Sequence, residues 1–260
     1  MIGLIVGTSE GKKIVSMLNG FTEDLFISTA TKYGGELLEN YKYKVLNSSP
    51  LNLQQIIEVI KLNNINIFID ASHPYALEVT KNVVKACDVC KIPYIRYERP
   101  SVVEKYESYE KLMQVDTYEE IYDCLKNVRG NVLNTSGSRN MDKILRLGLE
   151  NRIIHRVLPS LKVMEECFNL GVKVDDLIAI KGPISYDLNL NFIKEYNAKA
   201  IIMKDSGVEG GTGEKLEAAI CAGIYAIVIK RSNKKLDKVF SSIEEMIVYI
   251  RNIQINNKSV

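Results

Sequence analysis

The chain is poor in the residues that most catalytic and metal-binding signatures need. Its 260 residues hold two histidines and five cysteines. There is no Ser–His–Asp order, no HExxH, no protein-kinase motif set and no cluster with metal-ligand spacing. No stretch of about eighteen uncharged apolar residues occurs, so no membrane-spanning helix is expected. Neither sign of charge dominates: 34 Lys and Arg face 32 Asp and Glu, a net of +2. That balance argues against nucleic acid or a membrane surface as partner, although a local basic cleft fits within it. The opening MIGLIVGTSEGKK has no basic stretch ahead of its apolar run and turns at once to glycine and polar residues. It reads as a buried strand and a turn rather than a signal peptide. The expectation is a cytoplasmic protein with reduced cysteines.

What the chain does have is an ordinary globular composition, 46% hydrophobic and 25% charged. This excludes a disordered chain, a collagen-like chain and a disulfide scaffold. At roughly 150 residues per domain the length fits one or two domains. Short β-branched apolar runs alternate with segments of helical period. The first half has candidate strands at Ile2–Val6, Leu25–Thr29, Tyr43–Leu46, Ile65–Asp70 and Tyr94–Tyr97, with helices at Glu10–Leu18, Leu51–Leu62 and Tyr75–Cys90. The last helix puts Leu77, Val83, Val84, Cys87 and Cys90 on one face. The second half has strands at Val132–Thr135, Ile153–Val157, Leu177–Ile180, Ala200–Lys204 and Ala226–Lys230. Its helices are expected at Asn140–Leu147, Leu161–Leu170, Tyr186–Tyr196, Glu214–Ala222 and Ile243–Asn252. Nearly all-apolar strands between helices predict an α/β fold. Two Rossmann-like, doubly wound parallel-sheet domains would face a shared cleft. A weak repeat, KACDVCKIPYIRYER against EAAICAGIYAIVIKR, points to duplication. The polar, aperiodic region Arg99–Thr117 divides the domains at 1–100 and 101–260. An end strand or the C-terminal helix remains able to pack on the other half, and the tail INNKSV is expected to fray.

Ligands of open parallel sheets bind beyond the carboxyl ends of the strands. The loops there are GTSEG, TATKYGG, DASHPY, RYERP, NTSGSRN, HRVLPS, KGPIS and KDSGVEGGTGEK. They are rich in glycine, hydroxyls, lysine and arginine, which suits an anionic ligand. GTSEG is not GxGxxG, and the second strand ends without the acidic ribose ligand of a standard NAD fingerprint. GTSEG is read either as a dinucleotide turn or as a tight turn with Ser9 as N-cap. KDSGVEGGTGEK misses GxxxxGK[ST]. It is read as a phosphate or carboxylate nest, or as a surface loop with Thr212 capping a helix. His73, ahead of Pro74 as a helix N1, is read equally as a ligand contact or a hydrogen-bonded turn residue. His155 reads as structural. Cys87 and Cys90 form CxxC inside a helix and read as core packing. Tyr122 and Lys126 match YxxxK by chance, because TGxxxGxG is missing.

Taken in order, GTSEG, ISTATKYGGELL, FIDASHPYA, IPYIRYERP, LNTSGSRN, RVLPS, AIKGPIS and MKDSGVEGG followed by EKLEAA resemble the precorrin-6A reductase family of corrinoid biosynthesis. The likeness runs from about Ile2 to Arg231 and is nearer to the cobalt-first branch, chiefly through STATKYG. Val6 stands where that family often has glycine, Lys12 where arginine is frequent, and Ser232 where proline is common. The resemblance implies an oxidoreductase that adds hydride from NADH or NADPH, and a proton, to a double bond of (cobalt-)precorrin-6A. Cobalt would arrive with the substrate, so no metal site is implied. The partner would be a polycarboxylate tetrapyrrole, with no nucleic acid and no membrane, and with handover to neighbouring corrinoid-pathway enzymes. Cofactor or substrate contacts are expected at Gly7, Thr8, Ser9, Glu10, Thr31, Lys32, His73, Arg96 and Arg99. In the second half they are expected at Thr135, Ser136, Gly137, Arg139, Lys181, Gly182, Lys204, Asp205, Ser206 and Gly207. His73, Tyr75 and Lys204 are the candidate proton donors. The alternatives are another oxidoreductase on the same scaffold and a nucleotide- or tetrapyrrole-binding sensor.

Overall fold

Strand β1 (Ile2–Val6) is buried along its whole length, as an apolar strand covered on both faces must be. The computed structural model describes residues 1–7, 10–231 and 236–256. The chain divides into two compact units, Met1–Arg99 with Asn233–Val260, and Pro100–Ser232.

In the first unit, α1 (Gly11–Asn19) follows β1 and buries Ile14, Val15 and Leu18 at helical spacing. Then come β2 (Leu25–Ser28), α2 (Lys32–Glu36), β3 (Val45–Asn47), α3 (Leu53–Leu62), β4 (Ile67–Ala71), α4 (Leu77–Cys90) and β5 (Tyr94–Tyr97). Helix α3 starts on a capping box between Asn52 and Gln55, which satisfies two amides that the first turn leaves without partners. Pro74 does not open α4 as its N1 residue. The helix begins three residues later, at Leu77, after a turn in which Ala76 donates to the His73 carbonyl. The face α4 buries is Thr80, Val83, Ala86 and Cys87, while Leu77 is 42% exposed. Cys87 packs in the core with Phe26, Ile56 and Phe68, and burial pushes its thiol up to about 12. Gly3 has no room for a side chain, because a Cβ would lie 2.7 Å from the Phe68 ring.

The second unit holds β6 (Leu112–Val115), α5 (Ile121–Leu125), β7 (Asn131–Asn134), α6 (Met141–Leu145), β8 (Ile153–Val157) and α7 (Leu161–Asn169). It continues with β9 (Leu177–Ala179), α8 (Tyr186–Glu195), β10 (Ala198–Lys204), α9 (Thr212–Ala222) and β11 (Tyr225–Ile229). β6 lies inside the region that looked aperiodic. It is a short edge strand, Leu-Met-Gln-Val, in which only Val115 is fully buried. It is recruited by parallel pairing with β11, Ala226 opposite Leu112.

The chain then returns to the first unit. β12 (Val239–Phe240) pairs with β5, and α10 (Ile243–Asn256) buries Ile243, Met246, Ile247 and Ile250 in the core that holds β1 and α1. The C-terminal segment therefore does not belong to the second domain, where the 101–260 division put it. The two sheets have matching orders, β12-β5-β4-β1-β2-β3 and β6-β11-β10-β7-β8-β9, every pair parallel. Each order steps out from β1 or β7 in both directions, so each sheet has a switch point there. Among the described residues no helix is long and apolar enough to cross a membrane.

Candidate functional site

One device recurs at the carboxyl ends of three strands. A short polar side chain accepts from the amide two residues on and fixes the turn. Asp70 Oδ1 accepts from Ser72 N at 3.0 Å, Asn134 Oδ1 from Ser136 N at 3.0 Å, and Asp205 Oδ1 from Gly207 N at 3.4 Å. The outcome differs with the neighbour that each side chain meets.

In the first unit Asp70 is fully buried and meets Arg96 of β5 at 2.9 Å. Thr80 and Tyr94 both donate to Asp70 Oδ2, at 2.8 and 3.1 Å. Arg96 Nη1 also donates to Ser72 Oγ at 3.1 Å. Beside it Arg99 Nε lies 2.5 Å from Glu10 Oε1, both side chains being about one-twentieth exposed. Arg96 and Arg99 were expected to present open cations to a ligand. They are instead matched inside the unit, because an arginine this buried needs a carboxylate. Glu10 is the N-cap of α1 and makes no side-chain cap bond. Thr8 and Ser9 lie outside the described residues.

Of the described residues expected to touch a ligand at this sheet end, Thr31, Lys32 and His73 are exposed. Thr31 caps α2, its Oγ1 accepting from Gly34 N at 3.1 Å, and Lys32 is the first helical residue. The end of β2 reads Ser28, Thr29 and Ala30, with no carboxylate. Gly7 N is held by the Ala71 carbonyl at 3.1 Å, and a Cβ on Gly7 would meet nothing closer than 3.8 Å. His73 Nδ1 accepts from Tyr75 N at 3.2 Å, and the two rings lie 5.8 Å apart.

In the second unit Asn134 is fully buried and its Oδ1 also accepts from Ser136 Oγ at 2.7 Å. Its amide nitrogen therefore faces His155 Nδ1, at 2.9 Å. That ring nitrogen is then the acceptor and carries no proton. Burial pushes the His155 imidazole down to about 4, so it is neutral and structural. Thr135 is tied to the Ile202 carbonyl through both N and Oγ1, each at 2.8 Å. Gly137 sits at φ +86, a left-handed backbone that favours glycine, and a Cβ there would meet nothing within 4 Å. Conformation, not space, therefore selects glycine at this position. The next cation, Arg139, is exposed. Asp142 pairs with Arg146 at 3.9 Å.

After β10, Asp205 is 8% exposed and meets Arg231 Nε at 3.0 Å. Thr212 does not cap α9 but is its first helical residue, with Gly211 as N-cap. Thr212 Oγ1 accepts from Ser206 N at 2.9 Å and donates to the Lys204 carbonyl at 3.2 Å. This stitches the first turn of α9 to the end of β10. Gly207 turns the chain at φ +70. Lys204 is half-buried, and burial, reinforced by the charge of Arg139, brings its amine down to about 8. Lys181 and Gly182 are exposed, ahead of a cis Gly182–Pro183 bond.

Sequence reasoning missed Asp70, Asn134, Arg156 and Lys215. The first two carried a faint signal, a lone polar residue closing an apolar strand. Arg156 donates to Asn189 Oδ1 at 2.7 Å, and burial lowers it to about 10. Lys215 looks like an ordinary helix lysine, yet only 6% of it is exposed. Its stripe with Ala218, Ala219 and Ala222 was the available sign.

The family described as Precorrin-6x reductase CbiJ/CobK matches residues 1–251. The cobalt-precorrin-6A reductase of Methanocaldococcus jannaschii is 34% identical over 97% of this chain and 98% of its own. That of Priestia megaterium is 31% identical over 95% of this chain and 96% of its own. Among solved structures, CobK precorrin-6A reductase shares the fold with a TM-score of 0.78 at 14% identity, over 96% of each chain. With a family match across both units and relatives alike over nearly their whole length, this chain belongs to the precorrin-6x reductase family, oxidoreductases of corrinoid biosynthesis.

Proposed function

We propose that the chain reduces one carbon–carbon double bond of cobalt-precorrin-6A, or of precorrin-6A, to the 6B compound, with NADH or NADPH as reductant. The observation that carries this is the family match over residues 1–251, joined to relatives named for that substrate. The first unit's sheet end fits a dinucleotide: Gly7 leaves its β1 turn open to close approach, and Thr31 and Lys32 offer a hydroxyl and a cation with no carboxylate at the end of β2. Glu10, the carboxylate that next follows Gly7 in the sequence, is paired with Arg99. The nicotinamide, when bound, supplies the hydride.

The remaining work falls to the chain. Arg139 and Lys181, both exposed, hold carboxylates of the macrocycle as charge-assisted contacts. The Asn134 turn fixes the backbone that carries Thr135, Ser136 and Gly137. Of the three candidate proton donors, Lys204 is the one we assign. An amine near 8 is close to the working pH, where a general acid is most effective,. Cobalt is part of the substrate. We place the enzyme in the cytoplasm, passing its product to the next corrinoid enzyme.

The test is anaerobic incubation with each macrocycle and each cofactor, followed at the nicotinamide absorbance. Stoichiometric cofactor oxidation with a dihydro product supports the reading. Tight binding of either ligand without oxidation would make the chain a sensor.

A further inference from the structure

Asn140 stands at the N-cap of α6 and makes no side-chain cap bond there. Asparagine is among the best capping residues, and a missing cap costs a helix part of its stability. The side chain is turned instead to Tyr118, its Nδ2 donating to the phenolic oxygen at 3.3 Å. Three residues on, Lys143 lies over the same ring, its Nζ 5.6 Å from the centroid. Residues at this spacing share a side of a helix, and both of these reach the one phenol. Tyr118 follows β6 by three residues and is only 7% exposed. Its own turn is held reciprocally. Thr117 Oγ1 donates to Glu120 Oε1 at 3.0 Å and accepts from Glu120 N at 3.4 Å, and Glu120 Oε2 accepts from Asp116 N at 3.1 Å. A buried phenol on a fixed turn is an anchor for the group that hydrogen-bonds to it.

What it anchors is the turn after β7. Asn134 fixes the start of that turn through the Ser136 amide and hydroxyl. Gly137 follows at φ +86, and among the described residues nothing lies within 4 Å of where its Cβ would stand. Arg139 therefore sits between two held points, Ser136 and Asn140. We propose that Tyr118 is a positioning residue for Arg139: its hydroxyl holds the Asn140 side chain and so fixes the far end of the turn from which Arg139 reaches the macrocycle. This rests on the reading of Arg139 as a macrocycle contact. A long side chain on a loose turn loses more freedom when it grips a carboxylate, so a turn fixed beforehand strengthens binding without any new contact. The Asn140 bond serves the substrate turn in place of the α6 cap, and a local rule given up in this way is expected at a functional site.

The experiment compares the parent enzyme with Tyr118→Phe, which keeps the ring and removes the hydroxyl. One lost hydrogen bond corresponds to about threefold to tenfold. Tyr118→Phe is expected to raise KM for the macrocycle by about that factor, with kcat, the cofactor KM and the melting temperature unchanged. Asn140→Ala removes the other partner and is expected to give the same rise, and the double variant no further rise. In an Arg139→Ala background, Tyr118→Phe is expected to change nothing. Hydrogen exchange of the free protein reads the turn without substrate. The Met141 amide, which donates to the Ser138 carbonyl at 3.0 Å, is expected to exchange faster in Tyr118→Phe by a similar factor. An unchanged macrocycle KM in Tyr118→Phe, a rise that persists without Arg139, or an unmoved Met141 amide would each overturn the proposal. Full activity in Arg139→Ala would remove the macrocycle contact and the proposal with it, whereas a weakened Arg139→Ala beside an unaltered Tyr118→Phe removes the proposal alone.

Discussion

Arg139 tests the macrocycle contact at the scale of one side chain. It is exposed on the turn after β7 and its charge reaches Lys204. Arg139→Ala should lower kcat/KM for the macrocycle at least about tenfold, with an unchanged melting temperature. Full activity in the variant would return Arg139 to the solvated surface. Lys32 tests cofactor choice. Because it is exposed, its contact with a 2′-phosphate is weakened by solvent, and Lys32→Ala should weaken NADPH about fivefold to tenfold and spare NADH. Equal losses for both cofactors would exclude that role. His155 tests burial. Its imidazole sits near 4 when folded against about 6.5 when unfolded. The depressed value means that the stability it contributes is fully present above about pH 6.5 and is lost as pH falls toward 4. Over that window the loss reaches up to about 3 kcal/mol. Denaturant titrations of His155→Gln should show a shallower fall across it, and an identical slope would place the lost stability elsewhere.

At the scale of elements, two features join parts of the first unit. The buried Asp70–Arg96 pair ties β4 to β5. Arg96→Met strands a buried carboxylate and should cost about 3–5 kcal/mol. Adding Asp70→Asn should restore part of that loss, and a double variant as unstable as the single would show that the cost lies in packing. The other feature is α10, whose Met246 and Ile250 are fully buried against the β1 core. Ile250→Ala should cost about 2–5 kcal/mol through the cavity it leaves, read by chemical denaturation. Most element boundaries could be read from apolar period alone: β1, β5 and β8 fall where the pattern put them, and most others within two residues. β6 and β12 could not be read. Both are too short for an apolar run to stand out, and pairing to β11 and β5 defines them; the five-residue helices α2 and α5 are likewise too short to show a helical period.

At the scale of the whole chain, the first unit is discontinuous. The polypeptide leaves it at Arg99 and returns after Ser232. A fragment ending at Arg99 lacks the cover that Ile243, Met246, Ile247 and Ile250 supply. It should be poorly folded alone and gain cooperative melting when a peptide spanning residues 236–256 is added in trans. A fragment that melts cooperatively without the peptide would show that the returning helix is dispensable.

Apolar period and composition were enough for the alternation of strands and helices, the parallel sheets and the loops gathered at their carboxyl ends. Period and composition act locally, and each buried strand must be apolar wherever it lies. The order of motifs also carried the family. The fate of the charges was settled by contacts between distant residues. RYERP offers two arginines in sequence, but whether they face a ligand or a carboxylate depends on Asp70 and Glu10, residues distant in the chain. Lys204 and Lys215 look alike as letters. Burial lowers both amines, to about 8 and about 7, because desolvation and neighbouring charge, rather than residue type, set where a proton rests,.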